Sequence, residues 1–204
     1  MWDDPDHVAE YLERVPKLAQ RRAGESVLLE VLPRAPERVL DLGCGDGMLS
    51  ALVLESFPTV EHLVAVDRSP PMLARAIARF DGEPRVHVTE LDLDAPLPGI
   101  GPFDAVVSGF AIHHVPDARK RTLFCEIGSL LRVGGVFANL DVVASATDDL
   151  HSRFLANIGR TEDDPEDQLV GVEEQLSWMR SAGLSNVDCL WRWRGFALLV
   201  GEAS

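Results

Sequence analysis

The chain has 204 residues, 46% of them hydrophobic and 25% charged, with a net charge of −14 at pH 7. That length suits one domain with a sizeable core, while so acidic a balance argues against a long phosphate-contacting surface and makes nucleic acid an unexpected partner. No apolar run reaches the roughly 20 residues of a membrane span, the acidic start MWDDPDHVAE lacks the apolar core of a secretion signal, and Cys44, Cys125 and Cys189 form no CxxC pair, so a reducing cytoplasmic setting with neither disulfide framework nor metal site is expected.

Residues 1 to about 36 read as a partly amphipathic helical cap, with Val8, Leu12 and Val15 on one face and Val27, Leu28, Val31 and Leu32 on another. Pro33 and Pro36 end it. Residues 39–42 read as a short buried strand. Residues 48–57 read as a helix with Leu49, Leu52, Val53 and Phe57 on one side, and 62–66 as a second strand. Ser69 is a good N-cap for a helix that has Pro70 and Pro71 in its first turn and runs to about residue 80. Residues 85–89 and 103–108 give the third and fourth strands. A helix over 117–131 turns Leu123, Phe124, Ile127, Leu130 and Leu131 inward, and Gly134-Gly135 lead into a fifth strand over 136–143. Residues 144–170 form a lid-like insertion whose run TEDDPEDQ is an acidic, proline-broken loop. A helix over 172–182 stops at Gly183. The last strands, 187–194 and 196–200, are separated by Gly195 alone. So short a connection cannot cross over, so the pair must be an antiparallel hairpin. Strands alternating with helices predict βαβ units with right-handed crossovers. The expected fold is α/β: one Rossmann-like domain with a seven-stranded sheet of five parallel strands plus the hairpin, and helices on both faces.

Ligands in such a sheet sit beyond the carboxyl ends of the strands, where the strand order reverses. The first strand ends in Asp41-Leu42, and Gly43, Gly45 and Gly47 then alternate with Cys44 and Asp46. Glycines there permit positive φ and close approach of a ligand, and the following helix start offers free N–H groups. A dinucleotide fingerprint, G-x-G-x-x-G, would place its third glycine at Met48, so it fails, and no Lys-Ser/Thr pair follows for a P-loop. Asp67 closes the second strand, where a carboxylate can grip both ribose hydroxyls. Asp92 follows the third strand and can accept from an adenine amine while the Leu93 N–H donates to the ring.

These segments resemble the class I S-adenosylmethionine (SAM) dependent methyltransferase family over about residues 36–201. VLDLGCGDG is similar to its first motif, VDRSPPML to its second-strand acid and helix, DLDAPLP to its adenine segment, FDAVVSGFAIHHVPD to its fourth-strand motif and LLRVGGVFANLD to its fifth strand. The resemblance implies SAM as cofactor. Asp41, Gly43, Cys44, Gly45 and Gly47 would lie along its methionine end and ribose, with Asp67 on the diol, Arg68 beside the adenine and Asp92 and Leu93 on its edge. Ser108 and Gly109 would lie beside the methionine moiety. The outer segments resemble carboxy-SAM synthases. Leu18, where that subgroup has Tyr, and the lack of its Arg-bearing segment in GRTEDDPEDQLVGVEEQ favour plain SAM.

Methyl transfer is an in-line displacement for which the protein mainly positions the acceptor. His113 and His114 follow the fourth strand and are the candidate proton acceptors, their adjacency implying that at most one faces the site. Trp2 and Tyr11, with His151, Arg153, Phe154 and Asn157, are expected to cover the acceptor, and Trp191 and Trp193 to pack in the core. Arg119, Lys120 and Arg121, and Arg192 with Arg194, are the basic groupings near these loops, read as a solvated face. The reading is a methyltransferase acting on a small molecule at O, N or C, as a soluble protein that can form a homodimer. A tRNA-modifying or carboxy-SAM-type enzyme and a non-catalytic SAM-binding subunit are the alternatives.

Overall fold

The computed structural model describes residues 2–14 and 18–204. Val15, expected beside Val8 and Leu12, lies outside the described residues. The N-terminal segment is two helices, α1 (Pro5–Arg14) and α2 (Ala19–Val31). Leu28 and Leu32 are buried as the periodicity requires, but α2 also turns Arg21, Gly24 and Glu25 inward.

The elements that follow are β1 (Arg38–Leu42), α3 (Met48–Ser56), β2 (His62–Asp67), α4 (Pro70–Arg79), β3 (Val86–Glu90) and β4 (Phe103–Gly109). A short 3-10 helix, Ile112–His114, precedes α5 (Asp117–Leu130), β5 (Leu131–Val142), α6 (Asp148–Asn157), α7 (Val172–Ser181), β6 (Leu184–Trp193) and β7 (Phe196–Ala203). The seven strands form one sheet in the order β3-β2-β1-β4-β5-β7-β6. β1 to β5 are parallel, and β7 runs antiparallel between β5 and β6. The order reverses between β1 and β4, which opens a crevice at their carboxyl ends.

Alternation along the buried strands feeds two cores. Leu40, Leu42, Val64, Val66 and Val106 pack under α5 and α7, against Leu123, Phe124, Ile127, Leu176 and Met179. Val39, Leu63, Ala65, Ala105 and Val107 pack on the other face, against Leu28, Val53, Ala76 and Phe154. Ser69 caps α4 as expected, its Oγ accepting from Met72 N.

Most boundaries shift by a residue, and the larger differences from the sequence reading lie in β5 and the hairpin. β5 starts at Leu131, because Leu131 already pairs with Phe103 before the register shifts, so Gly134 (φ +76°) is a kink within the strand and not a turn ahead of it. The hairpin arms are longer than their apolar runs because polar residues continue the pairing, with Ser185 opposite Glu202. The hairpin turn is Arg194-Gly195, with Arg194 at φ +52°.

Candidate active site

Positive φ values at Gly43 (+69°) and Gly45 (+56°) bend the chain sharply after β1. A Cβ on Gly43 would sit 2.2 Å from the Ala111 methyl, so the turn packs directly on the segment that follows β4. Gly45 N–H donates to Asp67 Oδ2 at 2.8 Å, and Ser69 N–H donates to Oδ1 at 2.8 Å. The glycine turn and the start of α4 thus fix one carboxylate between them. Burial pushes the Asp67 pKa up, opposed by these N–H bonds.

A cleft of about 840 Å³ lies over this carboxylate. Gly43, Cys44, Gly45, Asp67, Arg68, Asp92, Leu93 and Gly109 line it. Asp92 sits just past β3, its Oδ1 accepting from Asp94 N at 3.0 Å. Arg68 reaches across to Glu166 at 2.8 Å. The Cys44 thiol is buried among carboxylates and its pKa is raised, which keeps it an uncharged wall atom.

Asp41, Gly47 and Ser108, expected on the cleft, lie behind the turn instead. Asp41 is fully buried, accepts from Ser50 Oγ at 2.6 Å and has its pKa pushed up to about 7 by burial. Ser108 Oγ donates to Leu42 O at 2.8 Å. Gly47 precedes α3, where a Cβ would meet the Phe80 ring at 2.6 Å.

Arg21 is a cleft residue that the sequence reading missed. Its Nε donates to Glu25 at 2.7 Å and Nη1 to Tyr11 Oη at 3.2 Å, while the guanidinium stacks 4.9 Å over Phe110. The signal was present: Arg21, Gly24, Glu25 and Leu28 repeat at helical spacing, but charges on that face do not register as apolar periodicity.

A second cavity of about 1130 Å³ adjoins the first, and Trp2, Tyr11, Phe110 and His114 line both. Trp2 is anchored where Ser69 Oγ donates to its carbonyl at 2.5 Å, and its indole meets Tyr11 and His114. Phe154 and Ile158 approach from α6 and its C-terminal end. Arg153 and Asn157, expected beside them, are solvent-exposed; Arg153 pairs with Asp149 one helical turn earlier. His151 is half-buried and bonds Asp163 at 2.8 Å.

The two adjacent histidines converge, contrary to the expectation that they diverge. The tight 3-10 turn brings their rings within 3.9 Å, and both line the second cavity. His113 Nδ1 is 2.5 Å from Asp141 Oδ1, and its Nε2 is 3.5 Å from Asp167 Oδ1. His114 Nδ1 lies 3.3 Å from that same oxygen. Burial lowers the His113 pKa, but the Asp141 charge and hydrogen bond and the nearby Asp167 outweigh it, so the net shift is upward. Burial, the His113 charge and Arg68 push His114 down to about 2, which keeps it neutral. Asp141 and Asp167 were not singled out from sequence. Asp141 falls near the carboxyl end of β5, and Asp167 within the acidic loop.

The basic cluster is not an open patch. Arg119 donates to the Leu93 and Ala95 carbonyls and pairs with Glu126, Lys120 is buried against the Gln168 carbonyl and Asp117, and Arg121 stacks on Trp178. Trp191 and Trp193 pack on the second core and line neither cavity.

Residues 39–135 match the methyltransferase domain family. The uncharacterized methyltransferase Rv0089 of Mycobacterium tuberculosis is 39% identical over 114 residues, which cover 56% of this chain and 55% of that protein. The chain thus spans about half the length of the curated relatives it matches. Among solved structures, PigF with SAH superposes with a TM-score of 0.73 at 21% identity, over 98% of this chain and 60% of that one. A chain from the complex of the Haloferax volcanii Trm112 methyltransferase activator with a methyltransferase gives 0.74 at 19% identity, over 99% and 96%. At these identities the superpositions speak to the fold. No helix among the described residues is long and apolar enough to cross a membrane.

Proposed function

We propose that the chain is a class I SAM-dependent methyltransferase, as its match to the methyltransferase domain supports, and that it binds SAM in the first cavity and methylates a small molecule held in the second. The observation that carries this reading is the wall the two cavities share, formed by Trp2, Tyr11, Phe110 and His114. A methyl group passing between two ligands needs such a common boundary.

The residues of the first cavity fit the cofactor. Asp67, pre-set by two backbone N–H groups, has the remaining lone pairs for a ribose diol. Asp92 and the Leu93 N–H suit the two polar edges of an adenine. Arg21, buried in the wall, offers its guanidinium to the methionine carboxylate. When bound, SAM supplies a methyl group made electrophilic by its sulfonium. The chain's own part is to bind, orient and handle the proton. His113, with Nδ1 fixed by Asp141, presents Nε2 as the proton-accepting atom. His114 stays neutral and packs against Trp2 at the boundary.

Calorimetry with SAM, S-adenosylhomocysteine and NAD tests the cofactor assignment. Binding of the two adenosyl ligands and not NAD is expected; NAD binding without SAM binding would sink the reading. Mass spectrometry of a metabolite extract incubated with labelled SAM then identifies the acceptor, and absence of any labelled product argues for a SAM-binding subunit without turnover.

A further inference from the structure

Glu10, Asp163, Asp164 and Asp167 line the second cavity, with Arg160 and the histidines as the basic groups on the same wall. Asp163 is matched by His151. Asp164 Oδ1 accepts from Glu166 N at 3.1 Å, and its Oδ2 lies 3.9 Å from His7 Nε2. Asp167 differs. Its side chain is only 9% exposed, and its Oδ2 accepts from Asp164 N at 3.1 Å. Its Oδ1 faces His113 Nε2 at 3.5 Å and His114 Nδ1 at 3.3 Å, yet it is buried and accepts no hydrogen bond from either. A buried carboxylate oxygen left in that state costs free energy that a ligand N–H recovers.

The rest of the wall suits the same kind of ligand. Trp2, Tyr11, Phe154 and Phe196 line the same cavity, so aromatic rings stand beside the carboxylates. Aromatic faces attract cations. An acceptor bearing a carboxylate would instead meet charge of its own sign, which is how a site rejects a competitor.

We infer that the second cavity takes a protonated amine on an aromatic or alicyclic body, its N–H held by Asp167 Oδ1, as the methyl acceptor. This rests on the methyl-transfer reading of the same site. Before attack, the ammonium gives one proton to His113 Nε2 and thence to solvent. The nitrogen lone pair then forms the N–C bond as the S–C bond breaks, its electron pair staying on sulfur. The product is a methylated ammonium, and one proton is released per turnover.

The test titrates the full chain, with and without S-adenosylhomocysteine, with three probes of one shape: phenethylamine, 2-phenylethanol and 3-phenylpropionate. Phenethylamine should bind about tenfold or more tighter than the alcohol, with the carboxylate weakest. Asp167→Asn should erase the amine's advantage while leaving alcohol binding within about twofold, as expected when only a charge-assisted bond is lost. Equal binding of the three probes, or a preference for the carboxylate, overturns the inference. So does stoichiometric Zn²⁺ uptake that blocks phenethylamine and disappears in Asp167→Asn, since His113, His114 and Asp167 would then be metal ligands. Should Asp167→Asn fail to fold, the ranking on the unmodified chain decides. Failure of S-adenosylhomocysteine to bind counts against the methyl-transfer reading alone, because the probe ranking is also measured without it.

Discussion

His113 Nδ1 and Asp141 Oδ1 lie 2.5 Å apart in a buried pair that ties the turn after β4 to the carboxyl end of β5. Asp141 is the main reason His113 titrates above its ordinary value despite burial. A histidine with a raised folded-state pKa stabilises the fold fully below its unfolded pKa of about 6.5, and that contribution fades as pH rises through the folded value. Thermal melting should therefore fall across that window. Methyl transfer, which needs the neutral imidazole, should rise across it. Asp141→Asn is expected to flatten the melting profile there and to shift the activity limb to lower pH. An unchanged activity limb in Asp141→Asn removes His113 as the proton acceptor.

Asp41 acts in the same direction at lower pH. Burial raises its pKa to about 7, so the neutral acid is the form the fold accepts. Its stabilising contribution is complete below the unfolded value of about 3.9 and is lost as pH climbs toward 7. Asp41→Asn keeps an acceptor for Ser50 and carries no charge. The variant should melt higher than the parent at pH 8 and show a weaker slope between about pH 4 and 7. A lower melting temperature at pH 8 would contradict burial as the cause of the shift.

Gly43→Ala should destabilise by about 1–3 kcal/mol from steric overlap alone, because the new methyl falls 2.2 Å from Ala111 Cβ. The left-handed φ of +69° adds a backbone penalty. Ala111→Gly in the same chain should restore the steric part and leave the backbone part. Denaturant melts of the two single variants and the double give the separation. Simple additivity would mean that the two positions do not touch.

Arg21 has two roles that variants can separate. Arg21→Leu strands Glu25 as an unpaired buried charge, which costs about 3–5 kcal/mol. Arg21→Leu with Glu25→Leu removes both charges and should melt near the parent. The double variant should still bind S-adenosylhomocysteine about tenfold more weakly, for loss of a charge-assisted contact to its carboxylate. Asp67→Ala should bring binding below detection. Unchanged affinity in the double variant would confine Arg21 to a structural role.

The sheet was readable because its evidence is local. Buried apolar runs end in turn residues, and a one-glycine gap at Gly195 leaves a hairpin as the only connection. The acids at the ends of β2 and β3 were readable for the same reason, since position along a strand sets position in the crevice. Asp141 obeys that rule too, but it is embedded in the apolar run ANLDVV and reads as part of a core strand. Asp167 could not be read at all. Its place depends on how the loop between α6 and α7 folds over the 3-10 turn, and a run of acids carries no such information. The direction of His113 and His114 was misjudged because adjacent side chains diverge in a strand, whereas here both ring nitrogens reach one carboxylate oxygen.

Trp2 occupies the wall common to both cavities, while Trp178, Trp191 and Trp193 line neither. The molecule therefore carries its own optical reporter. With the other three tryptophans replaced by phenylalanine, indole emission comes from Trp2 alone. Filling of either compartment can then be followed in real time, without a label and before any acceptor has been identified.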